Sequence, residues 1–252
     1  MTVNLTIDDH VALIEWNRPP ANHFDRELLD SIADAGKHAQ DAGVRAIVLA
    51  SAGKHFCADV DFAAGQIRAD PHGAISALYE AGKRIFALEI PVVAAVQGAA
   101  VGGGLGLACA ADFRVASAQT RFQANFARLG IHQGFATSLT VPRIVGPQHA
   151  AYMLYAGHSV RGTQALRIGL IDRLADDGHE REEAFALARE IAASAPLAVR
   201  SIRSTLRAEL LAGLDAALQR EVDEQARLMQ TADAAAGIEA SLARETPMFE
   251  GR

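Results

Sequence analysis

The chain has 252 residues, 50% hydrophobic and 21% charged, enough for one large domain, or a domain with an appendage, around a sizeable core. Its 24 lysines and arginines against 30 acids give a net charge of −6 with no basic block, which argues against nucleic acid and an anionic membrane surface as partners. Cys57 and Cys109 lack metal-ligand spacing and fit a reducing cytoplasm, residues 1–9 do not read as a signal peptide, and no run reaches the roughly 18 apolar residues of a membrane span.

Residues 3–7 and 11–16 read as short strands on either side of a turn at Asp8-Asp9, and Pro19-Pro20 ends the second. Asp25 is placed as the N-cap of a helix that aligns Leu28, Leu29, Ile32, Ala35 and Ala39, with Gly43 as its stop. Residues 46–50 form a continuous apolar run of strand length, and strand, helix, strand in this order predicts a parallel crossover unit. The pattern returns as a helix over 74–88, an apolar strand over 91–96, a buried helix over 105–111 and a third parallel strand over 113–116. Beyond Gly146 strand signals vanish, and Ala, Leu, Arg and Glu dominate. Ser194-Ala195-Pro196 reads as a helix start. Leu206, Leu210, Leu214, Leu218 and Val222 then recur every four residues, with Gly213 and Asp215 predicted to split the run into two helices. The layout is an α/β core over residues 1–190 and a helical region over 191–252. So few helices cannot bury their apolar faces alone, so they must pack on the core or on another subunit, and an oligomer is expected.

Two segments carry the chemistry. Gln97-Gly98-Ala99-Ala100-Val101-Gly102-Gly103-Gly104-Leu105 follows an apolar strand and opens an apolar helix. Consecutive glycines there permit a sharp turn and leave N–H groups uncovered, with the positive end of a helix dipole behind them. That suits a phosphate, a carboxylate or a developing oxyanion, although close helix packing explains such glycines as well. A dinucleotide fingerprint would need glycine at 107, which is Leu, and a P-loop would need Gly-Lys-Ser/Thr, which Leu105-Gly106 does not supply. The second segment runs from Ser51 through Phe56-Cys57-Ala58-Asp59-Val60-Asp61 to Phe62 and also leaves an apolar strand. Two such strand ends side by side would aim N–H groups into one crevice.

Residues 47–58 resemble the strand-and-loop signature of the enoyl-CoA hydratase/isomerase (crotonase) superfamily, and residues 91–105 resemble its proline-to-triple-glycine stretch. Asn17-Arg18-Pro19, Pro142-Arg143-Ile144-Val145-Gly146, Ala165 with Gly169-Leu170-Ile171, and the closing Met248-Phe249-Glu250-Gly251-Arg252 are similar as well, so the resemblance covers nearly the whole chain. It implies an α/β fold, a crotonase-like spiral of ββα repeats with a helical C-terminal trimerisation region, assembled as a homotrimer or a dimer of trimers. It implies an acyl-CoA partner, with coenzyme A present as part of the substrate and no permanently bound cofactor. It places an oxyanion hole at the N–H groups of Val60 and Gly103, flanked by Ala58 and Asp61. Backbone donors of this kind are in place before reaction and stabilise charge on a thioester oxygen.

The sequence departs from the family where protons are handled. The usual loop Ala-Gly-Ala-Asp is Ala58-Asp59-Val60-Asp61, and Asp59 is read as turning outward into solvent, with an acid/base role as the alternative. The positions matching the two hydratase glutamates are Gly106 and Phe126, and the single acid of many family isomerases also falls at or near Phe126, so syn-hydration has no evident acid or base and simple double-bond isomerisation is weakened too. The aspartate nucleophile of aryl-CoA dehalogenases would fall at Gly134. His132, in the loop after Gly130, is then the favoured proton carrier. His23, Tyr79, Phe126 and Gln133 are further substrate-binding candidates, Asn125 could orient water or a carbonyl, and Arg128 could neutralise a substrate carboxylate. Cys57 reads as a small buried apolar residue. Two functions follow: an enzyme on acyl-CoA thioesters with a non-standard base, or a carrier or sensor that binds them without chemistry.

Overall fold

The computed structural model describes residues 2–59 and 69–252. Strands β1 (Thr2–Asp8) and β2 (Val11–Asn17) pair antiparallel across a turn at Asp9, whose φ is +53°. Helix α1 (Arg26–Asp41) starts where the Asp25 carboxylate accepts from the Leu28 N–H at 2.9 Å, and it buries Leu28, Leu29, Ile32 and Ala39. Strand β3 (Ala46–Ser51) returns parallel to β2 with all six residues buried, which explains its unbroken apolar run. Helix α2 (Pro71–Phe86) begins three residues before the predicted start, with Pro71 in its first turn and Asp70 as the cap. Strand β4 (Val92–Val96) is again fully buried and parallel to β3.

The short strand β5 (Ala99–Val101) leads into α3 (Gly103–Ala110), every residue of which is buried. Strands β6 (Phe113–Ser117) and β7 (Arg121–Gln123) follow, then a 3₁₀ turn η1 (Phe126–Leu129), helix α4 (Thr137–Ala156), strand β8 (Ser159–Arg161), helix α5 (Gly162–Arg167), strand β9 (Arg173–Ala175) and helix α6 (Glu180–Ala192). Helices α7 (Pro196–Leu228) and α8 (Ala232–Ala243) complete the chain. The larger sheet has the order β1-β2-β3-β4-β6-β9, and a second sheet has the order β5-β7-β8.

Two expectations about the second half change. Strands do occur beyond Gly146, as β8 and β9, but at three residues each they are too short for a two-residue alternation to show. The predicted break at Gly213 and Asp215 is absent: α7 runs unbroken for 33 residues. A lone helical glycine costs about 1 kcal/mol, and burial of Leu210, Leu214, Leu218 and Val222 in the main core outweighs it. Asp215 pairs instead with Lys83 of α2.

Helix α7 is also pinned by charge. The Asp112 carboxylate, at the start of β6, accepts from Arg203 Nε at 2.8 Å, from Arg207 Nη1 at 3.0 Å and from the Val92 N–H at 2.8 Å. Both arginines are buried, so the helix docks with its guanidiniums inside the core. Among the described residues no helix is long and apolar enough to cross a membrane.

Candidate functional site

The loop after β3 is held against β5 and the residues just before it by a set of backbone hydrogen bonds. Phe56 N–H donates to the Gln97 carbonyl at 3.0 Å, Cys57 N–H to Ala99 at 3.1 Å, and Val101 N–H returns to the Cys57 carbonyl at 3.0 Å. A side chain at Gly104 would put its Cβ 2.2 Å from that Cys57 oxygen, so the close approach depends on glycine there. Asn22 braces the loop from the other side, its amide donating to the carbonyls of Ala52 and His55 at 2.7 Å each. The two segments singled out in the sequence therefore do share one crevice.

What fills that crevice differs from the sequence reading. Asp59 does not turn to solvent; it is 6% exposed, and its carboxylate Oδ1 accepts from the Gly103 N–H at 3.0 Å. The other oxygen accepts from the Asn125 amide at 2.9 Å. The physical reason is the start of α3, where uncovered N–H groups and the helix dipole favour an anion. Gly102 makes room: a Cβ there would lie 2.2–2.3 Å from the atoms of the Asp59 carboxylate group. Asp59 itself has φ +100°, a strained backbone for a residue with a side chain, of the kind that surrounding contacts hold in place at functional sites.

A cavity of about 450 Å³ opens on this carboxylate. Its inner wall includes His23, Ala58, Asp59, Asn125, Arg128 and Leu129, and its outer wall comes from Gly237, Ile238 and Leu242 of α8.

Residues 6–252 match the sequence signature described as enoyl-CoA hydratase/isomerase. The chain belongs to that family. It is 36% identical over 249 residues to the Mycobacterium tuberculosis protein named "Probable enoyl-CoA hydratase EchA14", covering 95% of this chain and 96% of that one. It is 31% identical over 253 residues to the crotonyl-CoA hydratase of Syntrophomonas wolfei, covering 96% and 95%. The crystal structure of an enoyl-CoA hydratase from Mycobacterium avium subsp. paratuberculosis superposes with a TM-score of 0.85 at 29% identity over 98% of both chains. The mixed α/β architecture with a helical C-terminal region is the fold of these relatives.

In this member of the hydratase/isomerase family, the predicted site residues divide. His23, Ala58, Asn125 and Arg128 line the cavity, and Gly103 reaches it through Asp59. Val60 and Asp61 lie outside the described residues. Tyr79, His132 and Gln133 do not line this cavity; they belong to a cluster under α7. The Tyr79 hydroxyl donates to Gln225 Oε1 at 2.8 Å, and Gln225 Nε2 donates to the His132 carbonyl at 2.8 Å. Burial pushes the Tyr79 hydroxyl well above its ordinary range. The His132 ring Nδ1 lies 2.8 Å from the Gln133 carbonyl, and the Gln133 amide donates to Ser138 at 3.1 Å. Phe126 is buried in the main core. Burial likewise pushes the Cys57 thiol up to about 12, which suits the apolar role read for it.

Of the two positions that the resemblance assigns to glutamates, Phe126 is buried and Gly106 has no room for a side chain as the neighbouring residues stand. A Cβ on Gly106 would lie 2.8 Å from the Cβ of Phe135, so the Phe135 side chain fills the space in front of that helix turn. Phe135 also packs against Phe24, Tyr79 and Phe86. Two features escaped the sequence reading. One is the inward Asp59, whose only signal is an acid where the family loop has glycine. The other is Glu221 of α7, fully buried, whose carboxylate accepts from the Ala136 N–H at 2.7 Å and the Ser138 N–H at 2.9 Å. It caps the start of α4 from another helix, and burial pushes its carboxyl up to about 7. No local motif signals a cap supplied from a residue 83 positions beyond Ser138 and 85 beyond Ala136.

Proposed function

We propose that this protein acts on an acyl-CoA thioester by holding its carbonyl oxygen at the Gly103 N–H, stabilising an enolate or tetrahedral intermediate without the usual hydratase glutamate pair. One observation carries the reading: that N–H, at the start of α3 and bare of any side chain, already donates to a carboxyl oxygen, Asp59 Oδ1, at 3.0 Å. A donor that takes a carboxyl oxygen suits the charge that would develop on a thioester oxygen. The Val60 N–H is the second donor in this reading, on the strength of the family resemblance. Coenzyme A arrives with the acyl group rather than as a resident cofactor, and a cytoplasmic setting suits the two free, buried cysteines. A homotrimer or dimer of trimers is supported by Leu197, Ile202 and Leu206, which α7 leaves exposed.

The closed positions at Gly106 and Phe126 argue against ordinary hydration. A second reading, a non-catalytic acyl-CoA carrier or sensor, is favoured by the same contact, because Asp59 occupies the donor.

The test is a panel of saturated, 2-enoyl and 3-enoyl CoA thioesters, followed by calorimetry for binding and chromatography for turnover. Binding of several thioesters with turnover of at least one, and little hydration of a 2-enoyl-CoA, is expected. Rapid hydration would contradict the account of Gly106 and Phe126. Binding without any turnover would establish the carrier.

A further inference from the structure

The position of Asp59 carries an assignment beyond the oxygen-holding role of Gly103, and rests on that role. The Gly103 N–H can hold only one acceptor well, and the Asp59 carboxylate now takes it. A thioester oxygen that claims this donor displaces Oδ1, yet the other carboxylate oxygen stays bonded to the Asn125 amide at 2.9 Å. The displaced group therefore remains beside the carbonyl, within reach of the carbon next to it. Two described carboxylates line the cavity, Asp59 and Glu245, and of these Asp59 alone touches the glycine run. The positive φ of Asp59 and the missing side chain at Gly102 both serve to bring this carboxylate to that spot.

We propose that Asp59 is the proton-carrying catalytic residue and that the reaction it serves is the 1,3-shift of a 3-enoyl-CoA to a 2-enoyl-CoA. Asp59, ionised, takes a proton from the carbon α to the thioester carbonyl. The C–H electron pair moves into the adjoining carbon–carbon bond, and the carbonyl oxygen takes the negative charge at the Gly103 N–H. The dienolate then takes a proton from the Asp59 carboxyl, which trades protons with solvent through the cavity, at the γ carbon, which leaves the double bond between α and β; return to the α carbon instead exchanges that hydrogen with solvent. Nothing is oxidised or reduced, no water is added, and the carboxylate is regenerated.

Charge favours this sequence. With Asp59 ionised, one negative charge sits at the Gly103 N–H. In the dienolate one negative charge, on the thioester oxygen, sits at the same N–H, while Asp59 is neutral. The donor and the helix start behind it solvate a single charge at each stage. One carboxylate suffices for a shift that removes one proton and returns one, whereas addition of water needs a second group, which Gly106 and the buried Phe126 do not provide.

The experiment compares the native protein with Asp59→Asn, which keeps the shape and the Gly103 contact, and Asp59→Gly, which restores the family's residue. Binding of a saturated acyl-CoA is measured by calorimetry. Isomerisation of a 3-enoyl-CoA, and deuterium uptake at its α carbon in D₂O, are followed by mass spectrometry. Asp59→Asn is expected to bind within a few-fold of native and to lose both isomerisation and exchange by roughly 100-fold or more, the usual scale for a lost general base. Asp59→Gly is expected to bind more tightly and to remain as inactive as Asp59→Asn. Retention of exchange in either variant would overturn the assignment, since the carboxylate would then be only a displaceable plug. Loss in His132→Ala with retention in Asp59→Asn would overturn it too and give the proton to His132. Binding by the native protein with no exchange at all would overturn the assignment alone, while failure of the native protein to bind any acyl-CoA would sink the Gly103 reading and the assignment with it.

Discussion

Phe135 stands over Gly106: a Cβ on Gly106 would lie 2.8 Å from both the Cβ and the carbonyl oxygen of Phe135. The ring reaches on to Gly82, where a Cβ would lie 2.5 Å from its Cζ. Phe135 is thus set between two helices at their glycines. Gly106→Ala is expected to destabilise the protein by about 1–3 kcal/mol through overpacking. A thermal melt should show a Tm several degrees lower, and an unchanged Tm would mean that Phe135 has room to retreat. Gly106→Glu is expected to fail as a route to hydratase activity for the same reason.

Tyr79→Phe removes the donor that Gln225 Oε1 accepts from at 2.8 Å, in a buried site. An unpaired buried amide oxygen costs about 1–3 kcal/mol. Urea unfolding should show a lower midpoint with an unchanged slope. Since Gln225 also holds the His132 carbonyl, amide hydrogen exchange in residues 130–135 should rise alongside.

Much of the fold was legible in the sequence, and the reasons are local. The apolar runs of β3 and β4 are continuous because both faces are buried, and Asp25 caps α1 through a bond to a residue three positions on. The unbroken α7 was not legible, because what carries Gly213 through a helix is contact with the distant core. The two active segments announced themselves by glycine spacing and resemblance. The inward Asp59 did not, because its direction depends on an N–H donor 44 residues away. Glu221 read as one acid among many on a helix, and the pair of N–H groups that buries it belongs to another helix.

Glu221 also sets a pH dependence. Its carboxyl is pushed from an ordinary 4.5 up to about 7 by burial, so between those values the folded chain holds a proton that the unfolded chain has released. Stability from this group is full below pH 4.5 and is lost as the pH rises through 7. The loss is on the order of 3 kcal/mol. Glu221→Gln, which cannot ionise, should flatten that part of the stability profile in denaturant titrations across the window. A profile equally steep in the variant would assign the dependence to other groups.

Asp112→Ala strips two buried arginines of their shared carboxylate. Leaving Arg203 and Arg207 charged and unpaired should cost about 3–5 kcal/mol. The check is chemical denaturation, with far-ultraviolet dichroism to show whether α7 stays helical while it loosens. A loss under about 1 kcal/mol would place the hold of α7 in its leucines alone.

The cavity wall has a consequence for how occupancy and folding are coupled. A Cβ at Gly237 of α8 would lie 2.6 Å from the Leu129 carbonyl carbon, so α8 lies almost backbone to backbone on the turn below it. Ala58 and Ile238, which both line the cavity, are 180 positions apart in the chain. A chain folded only through α3 would own the donor but have no closed chamber around it. Any ligand held between these walls therefore acts as a clasp across the two ends of the polypeptide. At a hundred-fold excess over its dissociation constant it would add about 2.7 kcal/mol to the folded state, and part of that gain would appear as tighter seating of the final helix.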